Sequence, residues 1–434
     1  METSGFRVLQ IQQPVTPDLN RNQNRWILPV FVLLLFSVDA YSQKQNTDTL
    51  PYPGGSLWGS VILDYFYKAH ADQEGRGNYQ YSGLPAATSA FQFRRIFLGY
   101  DYLIDKNFSA ELLLAAEEDR QVVPSGGGAG SSGDLLTDHK FAPYIKYANL
   151  RWKHIWTGTD LVLGTMSTPL IRVISASAWG NRIIEKTIAD LNKYPTTDLG
   201  ISLQGELDPL TGKAGYDLMA GTGTNVKSGT GSAGNFYGDF WLKLFHKKLW
   251  VDLYGEYHKT KPASNAADSS RSGEVLKLTV AYCSSVITIG AEGIINHEKN
   301  GVAGIRKIPG GTDTLLQDAK ASGYSLYAHG PILGDRLGFF VRYDHFNPNT
   351  YYNNQFFASY TSINGGPADP NTIRDFFTGG LDFSPVKSVH IEPNLWYFLY
   401  TGQQHGLAGN AAKDFDLVWR LTFYFSFGTK QSHP

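Results

Sequence analysis

From Ser56 to Phe427 apolar and polar residues alternate in twos, not at the three-to-four spacing of a helix. A period of two sends successive side chains to opposite faces of a strand. Candidate strands fall at 56–68, 91–104, 107–118, 141–155, 159–169, 197–207, 214–224, 235–245, 249–259, 273–283, 286–297, 322–331, 336–346, 375–384, 388–400 and 414–427. The last shows the pattern most clearly. One parity holds Phe415, Leu417, Trp419, Leu421, Phe423, Phe425 and Phe427, and the other holds Asp416, Val418, Arg420, Thr422, Tyr424 and Ser426. Leu249, Val251 and Leu253 alternate in the same way with Asp252, Tyr254, Glu256 and His258. Leu337, Phe339, Val341 and Tyr343 alternate with Arg342 and Asp344. A purely apolar face behind a partly charged one suits either a sandwich buried against a second sheet or a barrel standing in lipid.

The connections favour the barrel. Short ones ("IDKN", "WTG", "HKK", "SSV", "SPVKS") alternate with long ones such as 69–90, 119–140 and 347–372. A compact soluble domain rarely needs so many long loops, whereas an outer-membrane barrel has short periplasmic turns and long extracellular loops. Aromatic residues crowd the strand ends, as at lipid interfaces. The expected fold is all-β, a transmembrane antiparallel β-barrel of about 16 strands. Lipid satisfies no backbone hydrogen bond, so the barrel must close. The strand beginning near Leu57 is expected to pair with the one ending at Phe427.

One segment breaks the rhythm. "WGNRIIEKTIADLN" (179–192) is patterned as a helix. Asn181 suits an N-cap, Asn192 a position just past the end, and Pro195 a stop. Ile184, Thr187, Ile188 and Leu191 share one face, and Arg182, Glu185, Lys186 and Lys193 the other. By position it lies in the third long loop. An amphipathic helix needs an apolar support and a wet side, which a wide barrel supplies if the loop folds inward. A helix capping the mouth is the alternative.

Composition narrows the reading further. The formal charge of −1 leaves no electrostatic footprint for nucleic acid. The single cysteine, Cys283, can form neither an internal disulfide nor a cysteine metal site. Arg21 and Arg25 precede the apolar run Trp26–Val38, and small residues follow at Ala40 and Ser42. That is a signal-peptide pattern, and the run is shorter than the roughly 20 residues of a spanning helix. The chain is expected to divide into an extension and signal at 1–42, a periplasmic lead at 43–55, the barrel at 56–427 and a tail at 428–434.

"FRRIFLGYDYLIDKNFSAELLL" (93–114), "VLGTMSTPL" (162–170), "NRIIEKTIADL" (181–191) and "TDLGISLQGEL" (197–207) resemble the phosphate-selective porin O and P family. They match its paired arginines on an early strand, its Gly-x-x-x-x-Pro strand end, its Glu–basic loop helix and its Asp-x-Gly strand start. The resemblance implies a sixteen-stranded, commonly trimeric pore in a Gram-negative outer membrane, with the third loop narrowing the channel. Two positions depart from the pattern. Ser167 stands where the family carries Lys, and Thr197 where it carries Arg.

The expected function is therefore a water-filled channel for diffusion of small hydrophilic solutes or ions, with anions such as phosphate among them. The expected partners are outer-membrane lipid, those solutes and two further copies of the chain as a homotrimer. Neither enzymatic activity nor a cofactor is expected. Arg172, Arg182, Glu185, Lys186 and Lys193 are the candidate constriction residues of the third loop. Arg95, Glu111, Lys243, Arg342 and Arg420 are the candidate lumen-facing ones, in a mixed inner parity that also holds Asp239, Asp252, Glu256, Lys277, Asp344 and Asp416. Consecutive strand residues point apart, so only one of Arg94 and Arg95 is expected to face inward; parity with Asp101 selects Arg95. Ser388 and His390 share a strand face but form no recognisable hydrolase motif. A non-conducting barrel whose long loops bind a partner, for instance through "NPNTYYNNQFFASY" (347–360), is the alternative function.

Overall fold

The computed structural model describes residues 52–77, 79–117, 143–172, 175–181, 183–184, 187–223, 232–260, 271–351, 357–362, 372–402 and 413–430. The expected signal peptide and most of the lead lie outside them. The strands are β1 (Gly54–His70), β2 (Ser89–Leu103), β3 (Phe108–Glu117), β4 (Tyr144–Trp156), β5 (Thr159–Ser167), β6 (Thr197–Glu206), β7 (Ala214–Gly221), β8 (Ser232–Leu244), β9 (Leu249–Thr260), β10 (Arg271–Cys283), β11 (Thr288–Ile308), β12 (Gly311–Leu333), β13 (Leu337–Asn347), β14 (Phe357–Ser362), β15 (Thr372–Val386), β16 (Val389–Gly402) and β17 (Asp414–Gly428). Three short helical segments, α1 (Pro169–Arg172), α2 (Ser175–Trp179) and α3 (Ile188–Leu191), lie between β5 and β6.

All strands but β14 form a closed antiparallel ring of sixteen, in which each strand pairs with its sequence neighbour and β13 pairs directly with β15. Closure is made by β1 on β17, with Gly59 opposite Phe427 and Leu63 opposite Phe423. No strand edge of the ring is left for lipid, which could not satisfy it. The faces follow the alternation. On β17, Asp416, Val418, Arg420 and Thr422 are buried inside while Trp419, Phe425 and Phe427 are exposed outside. Leu253, Leu276, Leu278, Leu326 and Val341 continue the exposed apolar exterior on other strands. Large apolar side chains left in contact with the surroundings all round a closed ring make a lipid-facing surface.

Two elements differ from the sequence expectation. The stretch between 297 and 322 is not a loop: β11 and β12 continue as a hairpin that turns at Pro309–Gly310, where Gly310 takes φ +89°. β14 adds to its outer side, with Val302 opposite Ser362 and Gly304 opposite Tyr360. Beyond the lipid a strand needs no apolar face, so the alternation that marks the barrel strands fades there. The loop helix is also shorter than expected. α3 starts at an N-cap on Thr187, whose hydroxyl accepts from the amides of Ala189 and Asp190, and it ends at Asn192. Before it, Gly180 takes φ +71°, and the Ile183 and Ile184 carbonyls are taken by a side chain from the barrel wall instead of by the next turn.

Candidate functional site: the lumen and its inward loop

The loop between β5 and β6 enters the barrel and crosses it. Its base is closed by the Thr168 hydroxyl donating to the Pro195 carbonyl at 2.9 Å. At the end of α1, Arg172 Nε donates to Asp217 on β7 at 2.6 Å. α2 lies against the wall farther round the ring, where His329 Nε2 on β12 is 2.8 Å from the Ala178 carbonyl. Trp179 is buried edge-on to Tyr327 and Phe340, with the Arg342 guanidinium over its ring at 5.5 Å. The chain then reaches β2, where Arg94 donates to the Ile183 and Ile184 carbonyls at 2.5 and 3.1 Å. α3 returns toward β12 and buries Ile188 in a cluster that includes Tyr254, Ile294 and Phe346. Asn192 accepts from Arg374 on β15 at 2.7 Å. Arginines thus hold the crossing at β2, β7 and β15.

A second loop fills the space beside the crossing. Tyr79 and Tyr81, between β1 and β2, are buried, and Tyr79 stacks on Phe398 at 3.9 Å. Tyr81 donates to Asp64 at 2.8 Å, and Tyr79 donates to Asp416. Lys68 lies 2.8 Å from both the Tyr81 carbonyl and Asp416. Arg420 sits 3.0 Å from Asp64 with its guanidinium 4.3 Å above the Trp396 ring. Every charge here has an opposite partner, as burial requires. The loop is braced on itself by Arg76, 2.6 Å from Asp72. Burial pushes the Asp72 carboxyl up, but the hydrogen bonds and charge of Arg76 outweigh this and hold it below the usual carboxylate value. The void bounded by Tyr79, Leu191, Arg374 and Phe398 measures about 10 Å³, room for roughly one water.

The cluster where α3 meets β2 and β3, and Arg172 on α1, are less enclosed. Side chains of Arg95, Glu117 and Asp190 are 15, 16 and 13 % exposed and Arg172 is 24 % exposed, against 0–1 % for Asp64 and Lys68. Arg95 Nε is 3.4 Å from Glu117, and Asp190 of α3 lies 4.0 Å from Arg95. Lys146 on β4 bonds Glu117 from the other side and lies over the Phe97 ring. Glu117 is therefore bracketed by two cations, both next to a break in the strand register. The β1–β2 register slips where Ile62 faces Arg95 and Leu63 faces Phe93, leaving Arg94 as the extra residue. The β3–β4 register slips where Leu113 faces Tyr147 and Leu114 faces Ile145, leaving Lys146 extra. A bulge breaks the period of two, so Arg94 and Arg95 both point inward. This corrects the expectation that only one of them could.

Of the remaining sequence candidates, Glu111 is 3.1 Å from Lys430 and from Asn149. Lys243 lies 4.6 Å from the Trp250 ring near the short-turn end. Arg342 forms a buried pair with Asp344 at 2.5 Å. Lys193 is exposed at φ +62°, just past α3. Arg182, Glu185 and Lys186 lie outside the described residues. Sequence reading missed Arg94, Lys146 and Arg374, the first two because bulges leave no periodic signal. His390 pairs with Ser384, not Ser388, at 2.9 Å, and with Asp382 at 2.8 Å. Both partners meet the same ring nitrogen, Nδ1. A hydrolytic triad needs the serine and the acid on opposite nitrogens, so this geometry is not one.

No family profile and no curated protein matches this sequence. Solved structures do match in fold. The outer membrane channel DcaP of Acinetobacter baumannii superposes with a TM-score of 0.56 at 14 % identity, over 86 % of this chain and 97 % of that one. An anion-selective porin from Comamonas acidovorans gives 0.54 at 13 % identity, over 86 % and 99 %. OmpF of Salmonella typhi, in a complex with daunomycin, gives 0.50 at 11 % identity, over 86 % and 98 %. The fold is that of outer-membrane porins.

Proposed function

We propose that the protein is a porin of a Gram-negative outer membrane, passing small hydrophilic solutes or ions by diffusion along the β2–β6 wall. The observation that carries this reading is the contrast inside one barrel. Asp64 and Lys68 beside the tyrosine loop are fully enclosed, while Arg95, Glu117 and Asp190, where α3 meets β2 and β3, keep partial contact with solvent. There Arg95 and Lys146 meet Glu117 and Asp190, two positive charges against two negative ones. An anion filter works through rings or ladders of like positive charge; this balance supports a route of weak charge preference, with phosphate as one passenger among several.

The reading includes a homotrimer, which the native mass of the detergent-extracted protein would check. Planar-bilayer recording tests the channel itself. Stable unitary steps with a reversal potential near zero under a KCl gradient are expected, and a barrel that inserts without conducting would reject the reading. The second reading, a surface-binding barrel, is favoured by one observation: β11, β12 and β14 build a sheet that continues past the lipid-facing ring.

A further inference from the structure

On the inner wall near the short-turn end, β15 and β16 keep a constant register from Gly380 opposite Asn394 to Phe383 opposite Ile391. That register sets Asp382 directly across from Glu392. Two carboxylates facing each other on one side of a ladder repel, and the repulsion grows as water is removed. Glu392 is 1 % exposed, and its Oε2 has no hydrogen-bond partner. An unpaired buried carboxylate oxygen carries a full desolvation penalty. Arg420, the cation on the neighbouring strand, faces Asn394 in the ladder and sits 3.0 Å from Asp64.

The donor atoms of Asp382, His390 and Glu392 lie within 4.8 Å of one another. A cation placed among them would join the two facing carboxylates and give the orphaned oxygen a partner. His390 and Asp382 side chains are 24 and 26 % exposed, so the cluster opens toward the mouth, where an ion could enter and retain water. Asp382 and His390 already touch at 2.8 Å; they would part by a small rotation to admit it.

We infer that Asp382, His390 and Glu392 form a binding site for a divalent cation at the short-turn mouth of the barrel. One imidazole and two carboxylates with open positions suit a borderline first-row ion such as Zn²⁺. The site is independent of whether the barrel conducts. The full barrel, purified without an affinity tag and stripped of metal, is titrated with Zn²⁺ by calorimetry. One strong site per chain is expected, weakened at least ~10-fold in His390→Ala and in Glu392→Gln, and unchanged in a His297→Ala control. No saturable binding, or equal binding by all four proteins, overturns the site. Retained heat-modifiable migration in gels shows that a variant is folded. Crystals of the unaltered protein soaked in Zn²⁺ give a second measurement that needs no variant. An anomalous peak between the three side chains supports the site, and its absence there overturns it.

Discussion

Arg94 donates two hydrogen bonds across the lumen, to the carbonyl oxygens of Ile183 and of its neighbour Ile184, while its Nε lies 3.4 Å from Asp64. One side chain thus ties the crossing loop to both the barrel wall and the buried charge network. Arg94→Met keeps much of the volume but removes the donors and leaves Asp64 short of a partner. Breaking a buried pair costs ~3–5 kcal/mol. A lower unfolding temperature is expected, together with larger and noisier unitary conductance as the loop loses its hold on β2. Unchanged conductance would show that the loop keeps its place without this anchor.

The two departures from the phosphate-porin pattern are cross-strand partners: Ser167 ends β5 directly opposite Thr197, which begins β6. The preceding pair, Met166 and Asp198, is buried inside. Alternation therefore gives Ser167 and Thr197 the outward parity. The double variant Ser167→Lys/Thr197→Arg should leave the KCl reversal potential where it was. A clear shift toward chloride would place these positions in the pore after all.

The Arg95–Glu117–Lys146 group sits where selectivity is most open to change. Arg95→Gln removes one positive charge from the solvent-touched wall, and Glu117→Gln removes the negative charge between two cations. The first should move the reversal potential toward cation preference and the second toward anion preference, by amounts that shrink as salt screens the charges. Shifts of the same sign, or none, would put the conducting route elsewhere in the barrel.

Most of the ring was legible because lipid imposes a strict rule. Outward positions within the lipid must be apolar, so a period of two survives in each spanning strand and the turns show as interruptions. Three features obey other rules. Arg94 and Lys146 point inward through bulges, which add a residue and leave no periodic trace. The outer parts of β11 and β12 lie beyond the apolar requirement, so their strand character is carried by pairing alone. In the crossing loop the amphipathic pattern correctly placed Ile184, Ile188 and Leu191 in an apolar setting, yet among the described residues of 180–192 the helical ones are Ile188–Leu191. There Arg94 accepts the role of a helical turn by bonding the Ile183 and Ile184 carbonyls, a competition between distant residues that local sequence does not display.

The tyrosine loop should be sensitive to acid. Asp72 is held below its usual value of about 3.9 because the bonds and charge of Arg76 outweigh burial. A lowered folded-state value means the stabilisation is fully present above the unfolded value and disappears as pH falls through the folded one. The loop should hold at neutral pH and loosen only below about pH 4, freeing Tyr79 and Tyr81 from the aromatic cluster with Trp396 and Phe398. Near-ultraviolet circular dichroism between pH 7 and pH 2 would report this as a loss of tyrosine and tryptophan signal while the far-ultraviolet β signal persists. Asp72→Asn should already show a reduced signal at pH 7 and little further change on acidification. A near-ultraviolet transition in that variant as large as in the unaltered protein would assign the acid response to another carboxylate.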